Sequence, residues 1–183
     1  MKIIENSLYK SEPSSELETS LLYIWCKHFG EMPPFSRRLD DDFTDSALKK
    51  IRGGETYIAK QEEGSLIGVC TICPPHFDSL VENYATQGNN NHYLAALIIE
   101  KEYRRQGHAQ DLFLHALQDK NGKIILITPE KNIAAISLYQ KIGMQIVSEF
   151  DQTEQDFDSG EDFNLHRVVM TGSITEMKTL CSQ

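Results

Sequence analysis

The seven consecutive residues Tyr93-Leu94-Ala95-Ala96-Leu97-Ile98-Ile99 constrain this chain more than any other stretch. They carry no charge and no amide, and turn-forming Gly88-Asn89-Asn90-Asn91 precedes them. A short apolar run bounded in this way reads as a buried strand. It falls well short of the ~18 apolar residues a membrane helix needs. An amphipathic helix is expected from Gly107 to Gln118, followed by an Asn121-Gly122 turn and a strand over Lys123–Thr128.

The remaining elements interleave helices with strands. After a short strand at Lys2–Tyr9, Ser15 and Glu18 have capping-box spacing, and Leu17, Leu21, Ile24, Trp25 and Phe29 form the stripe of a helix closed by Gly30. A second helix is expected over Thr44–Arg52, ended by Gly53-Gly54. Thr56–Ala59 and Ser65–Ile72 read as a hairpin turning at Glu62-Glu63-Gly64, and Pro74–Asn91 as an irregular insertion. Asn132 caps a helix reaching Lys141, with Gly143 as its stop. Strands at Met144–Phe150 and Leu165–Met170 flank an acidic loop, Asp151–Asp162, and residues 171–183 read as a polar, loosely attached tail. The class is α/β or α+β around a mixed sheet, with one domain over residues 1–170.

Charge narrows the function. Eighteen Lys+Arg against 27 Asp+Glu leave the 183 residues at −9, which argues against a general nucleic-acid binder. Six of those acids fall within residues 151–162, which hold no Lys or Arg. The N-terminus meets charge too early for a signal peptide, so the expected compartment is the cytosol, with Cys26, Cys70, Cys73 and Cys181 reduced. Cys70, Cys73 and His76 invite a metal reading. Strand positions three apart face opposite ways and no second Cys/His pair follows, so buried cysteines and no metal are expected.

The chemistry-bearing stretch is Arg104-Arg105-Gln106-Gly107-His108-Ala109, between the strongest strand and a helix. First-turn N–H groups there lack intrahelical partners, and the positive end of the helix dipole points outward. Gly107 removes bulk where a polyanion approaches, Ala109 keeps the next position small, and Arg104 and Arg105 add positive charge. The combination suits phosphate binding.

Residues Leu94–Ala109 resemble motif A of the Gcn5-related N-acetyltransferase (GNAT) superfamily, [Arg/Gln]-x-x-Gly-x-[Gly/Ala] after a core strand. Asn132-Ile133-Ala134-Ala135-Ile136-Ser137-Leu138-Tyr139-Gln140-Lys141-Ile142-Gly143-Met144 is similar to motif B, with Met144 in place of the usual Phe. The 57–69 hairpin and the two N-terminal helices fit the same order. The resemblance implies a mixed, mostly antiparallel sheet flanked by helices, with a splayed parallel strand pair that binds acyl-CoA. It further implies transfer of an acetyl group from acetyl-CoA, or another acyl-CoA, to an amine in a ternary complex. The same fold also supports a non-catalytic acyl-CoA-binding or regulatory module.

Carried over residue by residue, the resemblance implies that main-chain groups of Leu97, Ile98 and Ile99 pair with the pantetheine arm. The N–H groups across Arg105–Ala109 hold the pyrophosphate, with Arg104 opening the motif. Asn132 and Ala135 line the pantetheine side, and Tyr139 protonates the departing thiolate. For the general base, the positions at the start of the motif A strand hold His92 and Tyr93, the former favoured by intrinsic pKa and the latter as a relay through water. His108 departs from an apolar position and Lys101 from a frequent proline. The acidic segment 151–162, near the implied acceptor side, suggests a cationic amine; the implied assembly is a monomer or homodimer.

Overall fold

Why the chain builds one sheet with two covered faces is visible in the alternation of its strands. The computed structural model describes residues 2–6, 15–30, 41–62, 64–85, 90–155 and 161–181. In strand β2 (Glu55–Lys60), Tyr57 and Ala59 join one core cluster while Ile58 joins another on the opposite face. β2 pairs antiparallel with β3 (Leu66–Cys73), and buried Thr56 and Thr71 stand in register with hydroxyls 3.0 Å apart. Adding β1 (Lys2–Asn6), β4 (Asn91–Ile99), β5 (Lys123–Pro129), β6 (Gln145–Gln155) and β7 (Asp162–Ser173) gives a seven-stranded sheet in the order β1-β2-β3-β4-β5-β7-β6. Every neighbouring pair is antiparallel except β4 and β5, which run parallel. The expected mixed, mostly antiparallel sheet is therefore present.

One face is covered by α4 (His108–Ala116), α5 (Ile133–Lys141) and α6 (Ile174–Cys181), whose Leu112, Phe113, Ile136 and Met177 pack on Leu94, Ile124, Leu126 and Met170. The other face carries α1 (Ser15–Gly30) and α2 (Asp41–Gly53), with Leu21, Trp25, Ala47 and Ile51 against Ile58, Val69 and Ile98. Beside them on that face lies a third cluster of Cys73, Val81, Tyr93, Ile125 and Val169, Val81 coming from the one-turn α3 (Ser79–Glu82). The side chains of Ser15, Leu17 and Phe29, and residues 7–9 of the expected first strand, lie outside the described set.

Three expectations change. The segment Pro74–Asn91 is not wholly irregular, since a 3-10 turn at Pro75–Phe77 and α3 occupy part of it and Asn91 opens β4. Asp151–Gln155 are not a loop: they prolong β6 against β7, with Asp151 opposite His166 and Gln155 opposite Asp162. Charge density concealed both the strand and the alternating Asp162-Phe163-Asn164-Leu165 of the β7 partner it pairs with. Nor is 171–183 a loose tail over its described part. Thr171–Ser173 finish β7, α6 buries Ile174 and Met177 completely, and Lys178 donates to the carbonyls of Gln118 and Lys120 at 2.7 Å each. Two apolar residues sufficed to anchor a segment whose remainder is polar. Met177→Ala is accordingly expected to cost about 2–5 kcal/mol in chemical denaturation, and a loss below about 0.5 kcal/mol, the range of surface substitutions, would contradict this packing.

Candidate active site

The feature that opens the sheet is the shortness of the β4–β5 ladder. Only Asn91–Tyr93 pair with Lys123–Ile125. β4 then continues through Ile99 and β5 through Pro129 without pairing each other, although β4 stays laddered to β3 as far as Gly68–Ile99. The diverging edges present main-chain groups of Leu97–Ile99 that an extended ligand can satisfy like an added strand.

At the end of β4 a 3-10 turn (Lys101–Tyr103) leads to Arg105, the one non-glycine with positive φ (60°) among the described residues. Gly107, at φ 87°, is the N-cap of α4. Left-handed residues beside a helix N-terminus, whose first-turn N–H groups lack intrahelical partners, can form an anion-binding concavity. A β-carbon on Gly107 would meet nothing within 4 Å, so the glycine faces open space.

The side chains of this loop mostly brace it. Arg104 donates from Nε to the carbonyl of Ile99 at 2.9 Å and from Nη2 to His28 Nδ1 at 3.2 Å, and Gln106 donates to the Glu102 carbonyl at 2.9 Å. The Ile99 carbonyl is thus already engaged. Arg105 is exposed, Ala109 packs on the core, and His108 sets its ring edge-on to Tyr103 at 6.4 Å with Nδ1 buried and without a partner.

Because a guanidinium only donates, His28 Nδ1 accepts from Arg104 and Nε2 carries the proton toward Glu100, 3.3 Å away. Lys27 Nζ reaches the same carboxylate at 2.9 Å. Burial alone raises the Glu100 pKa, but the hydrogen bond and charge of Lys27, with the hydrogen bond of His28, outweigh it and hold the carboxyl below its ordinary value. Its folded pKa being depressed, this contribution is complete above the ordinary value of 4.5 and drains away as pH falls through the lower folded value. Glu100→Gln is expected to flatten the acid limb of the stability curve. Urea titrations from about pH 6 to about pH 3 check this, an unchanged limb being the contrary result.

Tyr139 lies on α5, 7% exposed, in the core cluster against which Leu97 packs, its ring edge-on to Phe113 at a centroid distance of 6.2 Å. Burial pushes its phenol well above the ordinary tyrosine value, so it remains protonated. The turn of helix that carries it is closed by a paired C-terminal motif: Met144 N–H donates to the Tyr139 carbonyl and Gly143 N–H to that of Gln140. At the other end Asn132 Oδ1 accepts from Ala135 N–H at 3.4 Å and its amide donates to Thr128 at 3.3 Å, fixing the mouth of α5 beside the end of β5. Leu97, Ala109, Ala135 and Tyr139 all belong to or pack on one core cluster.

The two candidates for the base are not brought to this end. His92 is five residues before Leu97, or about 16 Å along an extended strand. Its Nε2 lies 3.0 Å from the Asn121 carbonyl, in a polar cleft with Glu55, Asp119 and Lys120. Burial lowers its pKa. Tyr93 points to the opposite face, where its hydroxyl donates to Asp78 at 3.2 Å, and Lys50 pairs with Asp78 at 3.0 Å. Burial, then Asp78, push Tyr93 well above its ordinary pKa and keep it from accepting a proton. Alternation along β4 separates the two residues, and the strand end on which they sit is opposite the cradle.

Sequence reasoning missed Asp78, His28 and the ion pair between Arg167 and Glu154, because separations of up to 76 residues give no local signal. Cys70 and Cys73 join clusters on opposite faces, and burial pushes the Cys73 thiol up to about 12 and raises Cys70 as well. Among the described residues no three His, Cys, Asp or Glu are grouped to hold a metal, and no helix is long and apolar enough to cross a membrane.

Solved structures share this architecture. Similar chains are yncA from Salmonella typhimurium with its cofactor acetyl-CoA (14% identity, 95% of this chain and 94% of that one, TM-score 0.66) and a ribosomal-protein-alanine N-acetyltransferase from Brucella melitensis (16%, 94% and 99%, TM-score 0.65). A spermidine N-acetyltransferase from Vibrio cholerae is 14% identical over 97% of both chains, with a TM-score of 0.60. At these identities the likeness is one of fold. Comparison with curated protein sequences gives no match. The model of the acetyltransferase (GNAT) family, by contrast, matches residues 19–144. Since that span runs from α1 to the end of α5 and holds both motifs, the chain belongs to the GNAT acetyltransferase family.

Proposed function

We propose that this protein is an acyl-CoA-dependent N-acyltransferase that moves the acetyl group of acetyl-CoA to a primary amine by direct attack in a ternary complex. The observation that supports the reading is the parted β4–β5 pair, whose β4 edge leads to the left-handed Arg105 and Gly107 and whose Leu97 packs on the core cluster containing Tyr139. Acetyl-CoA supplies an activated thioester. Leu97 and Ile98 main-chain groups are suited to hold its pantetheine arm, the N–H groups of Arg105–Ala109 its pyrophosphate, and Asn132 and Ala135 the mouth between them.

The amine attacks as the neutral species, forming a C–N bond as the C–S bond breaks. A strand N–H of β4 stabilises the developing oxyanion, and Tyr139 Oη delivers its proton to the departing sulfur. The amine's surplus proton passes to water, since neither His92 nor Tyr93 stands at this end of the sheet, and water returns a proton to Tyr139 Oη, leaving the amide, the CoA thiol and the phenol restored. Four free thiols and the acetyl-CoA requirement suit a cytoplasmic setting.

A thermal-shift screen with acetyl-CoA and longer acyl-CoAs, followed by CoA-release assays on an amine panel, tests the proposal. Stabilisation by acetyl-CoA with amine-dependent CoA release is expected. The placement of His92 and Tyr93 away from this end favours one competing reading, a non-catalytic acyl-CoA-binding or regulatory module; stabilisation with no release on any amine would support it. The acidic segment supports a cationic acceptor less than its composition suggests, because Glu154 pairs with Arg167 and Asp151 with His166.

A further inference from the structure

Arg105 holds φ 60° where the chain leaves the 3-10 turn for α4, the one left-handed non-glycine among the described residues. A β-carbon makes that conformation unfavourable, and it persists only where the surroundings over-determine it. Its two neighbours supply the constraint. Gln106 donates to the Glu102 carbonyl at 2.9 Å. Arg104 spans two acceptors, the Ile99 carbonyl at 2.9 Å from Nε and His28 Nδ1 at 3.2 Å from Nη2. Ile99 and Glu102 belong to the approach to the loop itself. His28 comes from a different element, the last turn of α1, 76 residues before Arg104.

That anchor is itself held. The His28 and Glu100 side chains are only 10% and 12% exposed, and Glu100 Oε2 faces His28 Nε2 at 3.3 Å and Lys27 Nζ at 2.9 Å. The Glu100 N–H donates to the Ile67 carbonyl of β3, and its own carbonyl accepts from the Tyr103 N–H, both at 2.9 Å. The carboxylate that orients the imidazole is therefore mounted on backbone tied to the sheet. With one ring nitrogen turned to a carboxylate and the other accepting from a guanidinium, the ring cannot turn without losing both partners.

We infer that His28 is a positioning residue for the cofactor: oriented by Glu100, it fixes Arg104 and, through it, the left-handed Arg105. Acetyl-CoA affinity is then set in part from α1, by a side chain outside both motifs that acts through Arg104 rather than on the phosphates. The inference rests on the reading above that the N–H groups of this loop hold the pyrophosphate. Without the strut the loop relaxes, and the cofactor must restore the unfavourable φ as it binds.

Calorimetric titration of the protein with acetyl-CoA tests this and needs no acceptor. His28→Phe keeps an aromatic ring in the slot but neither nitrogen, and is expected to weaken acetyl-CoA binding about tenfold. His28→Asn, whose amide oxygen stands near the place of Nδ1, should retain most of the affinity. The same His28→Phe change is then made in an Arg105→Gly background, because glycine adopts positive φ freely and needs no strut. There it should cost less than about twofold. If His28→Phe fails to fold, His28→Leu carries the same comparison. Unchanged or tighter acetyl-CoA binding, or an equal loss with and without Arg105→Gly, overturns the inference, whatever the melting temperatures do. No binding of acetyl-CoA by the unaltered protein would instead remove the cofactor reading beneath it.

Discussion

Tyr139→Phe is expected to lower the turnover of amine acetylation by about a hundredfold or more, the scale of a positioned general acid. Acetyl-CoA affinity should change less than about twofold. The separation of the two effects follows from where the phenol sits. The ring packs edge-on to Phe113 within a buried cluster, and phenylalanine preserves that contact. Only the oxygen is lost. Burial holds the phenol protonated well beyond neutral pH, so an O–H donor is in place for the departing thiolate. Initial rates at saturating acetyl-CoA, with calorimetry for its binding, measure the two quantities. Equal losses in both would make Tyr139 a packing residue.

Gly107→Ala is expected to weaken acetyl-CoA binding at least about tenfold, through two effects that a control separates. Alanine at φ 87° carries a left-handed penalty of about 1–2 kcal/mol. Its methyl group also enters the open side of the concavity, where an incoming phosphate needs the space. Gly64 has φ 94° and likewise nothing within 4 Å of its β-carbon, but it lies in the turn between β2 and β3. Gly64→Ala should therefore show a comparable fall in melting temperature with acetyl-CoA affinity unchanged. If both variants lose affinity alike, the concavity at Gly107 is not where the phosphate binds.

Much of this was legible in the chain itself. The continuous apolar run 93–99, the glycine ahead of an amphipathic helix and the Asn132 cap are local signals, and the strand, the helix start and the cap stand at those residues. The elements that sequence reading lost were those whose decisive contacts are remote or few. Residues 151–155 looked like a loop because acids dominate them, although their ladder to β7 is what makes them strand. Two buried residues, Ile174 and Met177, outweighed a polar tail. His92 and Tyr93 were nominated by residue type and motif position, but strand alternation and the divergence of β4 from β5 dictate where their side chains lie. Arg104 shows the same limit from another side: its charge was visible, whereas its use as a strut to Ile99 and His28 depends on residues brought together by folding.

The account stands on direct transfer of an acyl group from CoA to an amine at the parted strands. Steady-state initial rates of CoA release, measured over a grid of acetyl-CoA and amine concentrations, test that claim most directly. Intersecting reciprocal plots and CoA release that depends on the amine are the predicted result. CoA release independent of amine, parallel lines indicating an acetylated protein intermediate, or no release from a protein that binds acetyl-CoA would contradict it.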